Sequence, residues 1–100
     1  MRGNVNLKGL EVVITKHAYQ RALEREIAIS EMLEAVQEGI VIREYPNDKP
    51  FPSRLYSAII NDRPIHVVLA IDGVGGKAYI LTAYLPDLSI WQSDYIARRK

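Results

Sequence analysis

The hydrophobic pattern of this chain changes its period at Gly39, and that change limits the folds open to it. Before Gly39, a long stretch without Gly or Pro carries apolar residues at the three- and four-residue spacing of amphipathic helices. After Gly39, short runs rich in β-branched residues alternate with turn residues, which is typical of strands. The sequence therefore predicts helices followed by a sheet.

Two helices are predicted in the first part of the chain. Lys16–Arg25 follows Thr15, a good N-cap residue, and contains neither Gly nor Pro. The second helix ends just before Gly39, which is expected to be its C-cap residue. Its start has two candidates: Ser30 as the capping residue, or Ala28 as the first helical residue.

The second part of the chain predicts an antiparallel sheet. Residues 46–52 contain three prolines and are expected to form an ordered loop, because proline cannot continue a ladder. The other connections have hairpin length, which joins strands in antiparallel order. The predicted fold class is α+β, with two N-terminal helices on one face of a four-stranded antiparallel sheet whose other face is partly open. The four strands are predicted at Ile40–Tyr45, 54–60, 65–71 and 78–84.

Length and composition limit the possible functions. One hundred residues suit a single domain with a core at about 10–95, loose ends at 1–8 and 96–100, and an extended lead-in at 10–14. The net charge is only +1, so affinity for nucleic acid would need a local basic patch. The chain has no cysteine, which excludes disulfides, a thiolate zinc site and a cysteine nucleophile. Without a signal-like or membrane-spanning apolar run, a cytoplasmic protein is expected.

One edge of the first predicted helix is basic. At about 100° per residue, His17, Arg21 and Arg25 fall within an arc of roughly 80°. Such rows also occur for solubility alone, but a second histidine within an apolar strand favours a functional role. The neighbouring arc is expected to pack on the core and holds Ala18, Tyr19, Ala22 and Leu23.

His66 interrupts the third predicted strand, which is otherwise apolar. Strand alternation puts His66 with Val68 and Ala70 on the thinner, more accessible face of the sheet. Its partner on the next strand depends on the turn between them: Thr82 for a three-residue turn, or Ala83 for a four-residue turn. The alternative to a functional role is a half-buried histidine that is hydrogen-bonded to a neighbouring carbonyl.

Seven side chains together suit cleavage of RNA without a metal. Such cleavage needs a base for the 2′-hydroxyl proton, an acid for the departing 5′-oxygen, and cations for the phosphate charge. Histidine suits both proton roles near neutral pH, and the forked donors of arginine match phosphate oxygens. Hydroxyl groups add hydrogen bonds, and a tyrosine ring adds a stacking surface for a base. Catalytic roles are expected for His17, Arg21, His66 and Thr82, and substrate-binding roles for Arg25, Arg54 and Tyr84.

Metal or cofactor chemistry is the weaker interpretation, and neither is expected. His17 and His66 would be two ligands, but the chain has no cysteine and no pair at a metal-motif spacing such as H-x-x-x-H. The glycine-rich segment 73–76 lacks the Lys-Ser/Thr ending of a phosphate loop, so it is expected to be a hairpin turn. Trp91 and Tyr95 are expected to cover the sheet edge or the core, and base stacking by Trp91 is the alternative.

Several short motifs resemble one known family over roughly residues 12–95. This is a family of small prokaryotic domains of unknown function that is related to RelE-like toxins, in the barnase–EndoU–colicin–RelE superfold. The resemblance also includes a second helix that ends at Gly39, and a tyrosine, Tyr45, that stands just before a proline-rich turn. The motifs are His17-Ala18-x-x-Arg21-x-x-x-Arg25, Pro50-x-Pro52-Ser53-Arg54, Pro64-x-His66-Val67-Val68 and Thr82-x-Tyr84-x-Pro86-Asp87.

The resemblance implies the same two-helix, four-strand fold, metal-independent ribonuclease chemistry and, often, a small zinc-ribbon antitoxin as partner. The chain departs from its relatives between the helices. Glu26 stands where relatives usually have Gly, and Ala28 where they have Ser or Thr. The active positions implied by the resemblance are His17, Arg21, Arg25, His66 and Thr82, with Tyr84 close by.

The sequence thus predicts a toxin-type endoribonuclease that uses acid/base catalysis and arginine phosphate binding. The alternative is a non-catalytic module that binds RNA or a protein with the same basic face. The expected partners are RNA, free or on the ribosome, and a small antitoxin protein, with no membrane. The oligomeric state is left open, a homodimer included.

Overall fold

The structure, a computed structural model, describes residues 6–7, 9–87 and 89. Both predicted helices and all four predicted strands are present within two residues of their expected bounds. In the described part of the chain, no helix is both long and apolar enough to cross a membrane. The elements are β1 (Asn6–Leu7), β2 (Leu10–Ile14), α1 (Lys16–Arg25), α2 (Ile29–Glu38), β3 (Ile40–Tyr45), β4 (Ser53–Ile60), β5 (Arg63–Asp72) and β6 (Lys77–Tyr84).

The predicted four-stranded antiparallel sheet is wrong. The described strands form one six-stranded sheet in the order β1-β2-β6-β5-β4-β3. β2, expected to be only a lead-in, pairs in parallel with β6, and β1 forms within a segment expected to be loose. The helices are therefore preceded by strands. The short apolar run of β2 could not indicate its partner, because Ile14 pairs with Ile80, which is about two thirds of the chain length away in sequence.

One face of the sheet packs against both helices. α1 lies on β6, whereas α2 lies on β4 and β5. Alternation along β5 aims Ile65, Val67 and Leu69 at the helices, and all three are fully buried. This larger apolar set is the core face that the sequence predicts.

α1 buries a narrower stripe than its helical wheel predicts. Ala18 and Ala22 are buried, and their small side chains let the helix approach the sheet closely. Tyr19 and Leu23, expected to pack on the core, are 49% and 81% exposed. The prediction is wrong for these two residues because α1 packs mainly on a single strand, β6, so only the line of alanines meets the sheet.

The opposite face of the sheet is closed around His66, whereas an open cavity lies beside Ala70 on the same face. Ser53, Leu55, Ser57 and Ala70 are buried there, and His66 is 0% exposed. Alternation had indicated the correct face for His66, but not its burial. The expectations for Trp91, Tyr95 and the ends at 1–5 and 96–100 concern residues outside the described part of the chain.

The junction between the helices contains both departures from the family pattern. Glu26 is the C-cap of α1 and has left-handed backbone angles (φ 56°, ψ 43°), the conformation that Gly adopts at least cost. Ala28, not Ser30, is the N-cap of α2, and it makes no side-chain capping bond. A Ser or Thr at that position would supply a hydroxyl acceptor for the first turn.

Glu31 partly replaces the missing cap and ties α2 to the β4–β5 turn. Its Oε1 accepts from the backbone N–H of Ala28 (2.9 Å) and from Arg63 Nη2 (2.8 Å), and its Oε2 accepts from Asn61 Nδ2 (3.0 Å). The Ala28 amide, then the Asn61 amide and, with less effect, Arg63 hold the pKa of this carboxyl below its usual value, against the effect of desolvation.

Candidate functional site

The start of α1 is fixed to β6 through Thr15. Its Oγ1 accepts from the backbone N–H of Ala18 (3.1 Å), as predicted for an N-cap, and donates to the carbonyl of Ile80 (2.8 Å). The helix and the strand therefore share one anchor at the point where β2 ends. His17 follows two residues later and is exposed.

Arg21 and His17 are in contact on the exposed side of α1. Arg21 Nε donates to His17 Nε2 over 3.4 Å, as the four-residue spacing allows. In this bond Nε2 is the acceptor, a role that only the neutral ring with its proton on Nδ1 can fill. The arrangement places an imidazole nitrogen beside a permanent cation.

The guanidinium of Arg21 also pairs with Glu24. Arg21 Nη1 lies 2.7 Å from Glu24 Oε1, and the two side chains are 39% and 59% exposed. An exposed pair of this kind contributes at most about 1 kcal/mol, so an anion such as a phosphate can displace the carboxylate. Glu24 is thus an internal competitor for the phosphate site predicted at Arg21.

Arg25, the third member of the row, reaches the backbone of β6. Its Nη1 donates to the carbonyl of Ala83 over 2.7 Å. β2 pairs with β6 only as far as Ile80, so the Ala83 carbonyl lies beyond the end of that pairing. Arg25 is its hydrogen-bond donor. Arg25 and Thr15 therefore hold α1 against β6 on both sides of His17 and Arg21.

The register of β5 and β6 places His66 opposite Tyr84, and neither predicted partner faces it. The turn at 73–76 has four residues, which alone would pair His66 with Ala83. A register shift between Val68 and Leu69 adds one more residue, Leu81, on β6, so Thr82 faces Val68. The turn length was anticipated as an alternative, but the bulge was not.

His66 meets Tyr84 through both its ring and its nitrogen. His66 Nδ1 lies 3.2 Å from the Tyr84 hydroxyl, and the rings meet edge to face with centroids 5.2 Å apart. Tyr84 is half-buried, whereas His66 has no accessible surface. Any contact between His66 and a ligand from solvent therefore passes through a neighbour such as Tyr84.

The end of β6 contacts two of the predicted site residues, Arg25 and His66. Thr82, Ala83 and Tyr84 are consecutive: Ala83 binds Arg25, and Tyr84 meets His66. Arg54 does not join them. It lies on β4, two strands or about 10 Å from β6.

Arg54 instead lines a small cavity of about 130 Å³ together with Glu44, its cross-strand partner. The Glu44 carboxylate lies directly across the ladder from Arg54 and would repel any anion that Arg54 bound. In the described residues, no group of three His, Asp or Glu side chains is placed to hold a metal ion.

Sequence reasoning missed an aromatic pair. The rings of Phe51 and Tyr79 stack beside a larger cavity on the face opposite the helices. One sequence signal could have indicated Phe51: it is the only phenylalanine of the chain, and it lies between Pro50 and Pro52 in a loop expected to be ordered. Nothing local could indicate Tyr79 as its partner, because the two are far apart in sequence.

Comparison with known proteins gives a family for this arrangement. A search of curated proteins and a search of solved structures found no match to the chain. A family model described as a domain of unknown function (DUF4258) matches residues 14–85. The match runs from the end of β2 to just beyond β6 and includes all seven predicted site residues. The chain belongs to the DUF4258 family of uncharacterised domains.

Proposed function

We propose that this protein is a metal-independent endoribonuclease related to RelE-like toxins. The proposal rests mainly on the 3.4 Å contact between Arg21 Nε and His17 Nε2 on an exposed helix face. A neutral imidazole can take the proton of a 2′-hydroxyl, and an adjacent guanidinium can hold the phosphate under attack. The row of His17, Arg21 and Arg25 along α1 provides both groups.

In the proposed reaction, Arg21 turns from His17 to the phosphate, and the freed lone pair of His17 Nε2 takes the 2′-hydroxyl proton while the 2′-oxygen attacks phosphorus. The bond from phosphorus to the 5′-oxygen breaks, which leaves a 2′,3′-cyclic phosphate and a 5′-hydroxyl. Arg21, the remaining N–H groups of Arg25 and the Thr82 hydroxyl stabilise the charge on the phosphate oxygens.

Tyr84 and His66 lie on the sheet face opposite the helices, so the proposal requires the substrate to cross the edge of β6 beyond Ile80, where Arg25 binds the Ala83 carbonyl. There the Tyr84 hydroxyl gives its proton to the departing oxygen and regains one from protonated His66 behind it.

The test is cleavage of single-stranded RNA by purified protein, with His17→Ala and a matched Gln20→Ala control. Gln20 is exposed on the same helix and lies outside the basic row. His17→Ala should lower the rate by roughly 10²–10⁴-fold without changing the melting temperature, because His17 is exposed. Gln20→Ala should cleave like the parent, and products should end in cyclic phosphate. A parent that leaves RNA intact, or a His17→Ala variant that cleaves equally fast, overturns the proposal.

The proposal includes a toxin role, with RNA, free or on the ribosome, as target and a small antitoxin as partner. Support comes from Tyr19 and Leu23, whose apolar side chains are exposed on the same helix as His17. Expression without the neighbouring gene should arrest growth, and His17→Ala should relieve the arrest.

The second candidate is a non-catalytic module that binds a protein through α1. Tyr19 and Leu23 favour it, because two large apolar side chains four residues apart form a small exposed apolar surface, separated from the basic row by the buried alanines. This candidate predicts intact RNA and normal growth on expression. Partner binding would be lost in Leu23→Glu and unchanged in His17→Ala, which separates the two functions.

A further inference from the structure

The sheet face opposite the helices carries an open cavity of about 290 Å³. Its size is at the lower end for small-molecule sites and suits a single planar ring system. Most of its wall is apolar, with a few polar groups. The cavity lining includes Thr15, Asp48, Lys49, Phe51, Tyr79 and Leu81.

Two aromatic rings give this cavity a flat wall. The planes of Phe51 and Tyr79 differ by only 5°, and their centroids are 5.9 Å apart. Both rings are partly exposed, so a planar group can extend the stack. Flat π-surfaces of this kind bind nucleic acid bases irrespective of sequence.

The loop that presents Phe51 is held in place. The carbonyl of Pro52 accepts from the backbone N–H of Ile71 (2.9 Å), which fixes the loop end to β5. Ser53 Oγ donates to Asp48 Oδ2, which closes the loop on itself. The aromatic wall is therefore formed before any ligand binds, which lowers the entropic cost of binding.

The polar groups of the cavity match a nucleotide. The Asp48 carboxylate can accept from the exocyclic amine of a base, and the Lys49 ammonium can pair with a backbone phosphate. An apolar peptide side chain would use the rings but would leave the Lys49 ammonium without an anionic partner from the ligand. Charge complementarity therefore favours a nucleotide over a peptide.

The cavity adjoins the proposed cleavage site along two elements. Thr15 lines it and precedes His17 by two residues, and Leu81 lines it and directly precedes Thr82. Thr15 Oγ1 also donates to the carbonyl of Ile80, so these two walls are joined. An RNA strand held at α1 can place a neighbouring base in the cavity.

We propose that the Phe51–Tyr79 cavity is a base-binding subsite for single-stranded RNA, next to the phosphate bound by the α1 row. The ligand class rests on the proposed ribonuclease function. The subsite stacks one unpaired base on the aromatic wall. It sets the position of the strand relative to His17.

The experiment measures binding of a short oligoribonucleotide that carries 2-aminopurine and whose 2′-hydroxyls are methylated to prevent cleavage. Stacking quenches 2-aminopurine fluorescence, so the signal separates base contact from phosphate contact. Phe51→Leu should weaken binding roughly 5- to 100-fold and remove the quenching, whereas Phe51→Tyr should retain both. Tyr45→Leu, a partly exposed tyrosine on β3 outside the cavity, is the matched control and should behave like the parent.

The outcomes separate the subsite from the ribonuclease proposal. One outcome overturns the subsite alone: Arg21→Ala weakens binding, whereas Phe51→Leu binds the oligonucleotide and quenches its fluorescence like the parent. Circular dichroism must show that Phe51→Leu is folded. RNA binding on α1 then stands. If an abasic oligonucleotide binds the parent as tightly as the complete one, the subsite is also overturned. If the parent binds no oligonucleotide, both proposals fail. If Phe51→Leu does not fold, the same binding and quenching measurements are made on Tyr79→Leu, which removes the other ring, and on Tyr79→Phe, which keeps it.

Discussion

His66 Nδ1 lies 3.2 Å from the hydroxyl of Tyr84, and the two residues face each other across β5 and β6. Because His66 is fully buried, His66→Ala should lower the free energy of unfolding by about 2–4 kcal/mol through lost packing and an impaired hydrogen bond. Tyr84→Phe should cost about 1 kcal/mol. Urea denaturation of both variants and the double variant would measure their coupling, and additive effects would contradict a direct bond.

The helix junction should be improvable at Glu26 and Ala28. Glu26→Gly should raise the free energy of unfolding by about 0.5–1 kcal/mol, because Gly adopts φ 56° without a Cβ clash. Ala28→Ser should add about 0.5–1 kcal/mol through a capping bond. Thermal melts would show both as higher melting temperatures. Glu34→Gly, the same change inside α2, should instead cost about 1 kcal/mol.

Glu31 should make stability depend on pH in the acid range. Its pKa in the folded state lies below the ordinary value of 4.5, chiefly because the Ala28 amide and then the Asn61 amide donate to it. Its stabilising contribution is therefore complete above about pH 4.5 and decreases as the pH falls toward the folded-state pKa. Glu31→Gln should cost about 1–3 kcal/mol at pH 7, and less at pH 3, in urea denaturation. A loss that is equal at both pH values would contradict this assignment.

Competition between Glu24 and RNA phosphate should be measurable. Removing the negative charge with Glu24→Gln frees Arg21, so binding of a non-cleavable RNA should strengthen by roughly two- to fivefold at low salt. Arg21→Ala should weaken binding and reduce the slope of log affinity against log salt by about one unit. Arg43→Ala, an exposed arginine on the far edge strand β3, is the control. Equal effects of Arg21→Ala and Arg43→Ala would rule out a specific phosphate site on α1.

Cleavage, if it uses the proposed proton route, should depend on two coupled groups. The base must be neutral and the acid protonated, so the rate should be bell-shaped in pH, with limbs that report His17 and the His66–Tyr84 pair together. His17→Ala should abolish the limb that belongs to the base. A rate that rises monotonically with pH would exclude an imidazole acid.

Local chemistry in the sequence determined the elements of this fold. Thr15 caps α1, Gly39 ends α2, and the change of period between helix and strand gave element bounds that the structure confirms within two residues. A Cβ at Gly39 would lie 2.7 Å from the carbonyl of Ser57, so the same residue that ends the helix also allows its close packing. These features depend on neighbours within a few residues, and for that reason the sequence alone reveals them.

Tertiary structure decided how the elements meet, and with it the candidate site. The partner of β2, the extra residue opposite Leu69, the burial of His66 and the pairing of Phe51 with Tyr79 all involve residues distant in sequence. A one-residue shift in a ladder changes which side chains face each other, and only the packing of the complete sheet selects the register. The sequence therefore predicted which residue types are available for chemistry. The folded sheet determined that His66 faces Tyr84, because that register aligns the core-facing residues of β5 and β6 under the helices.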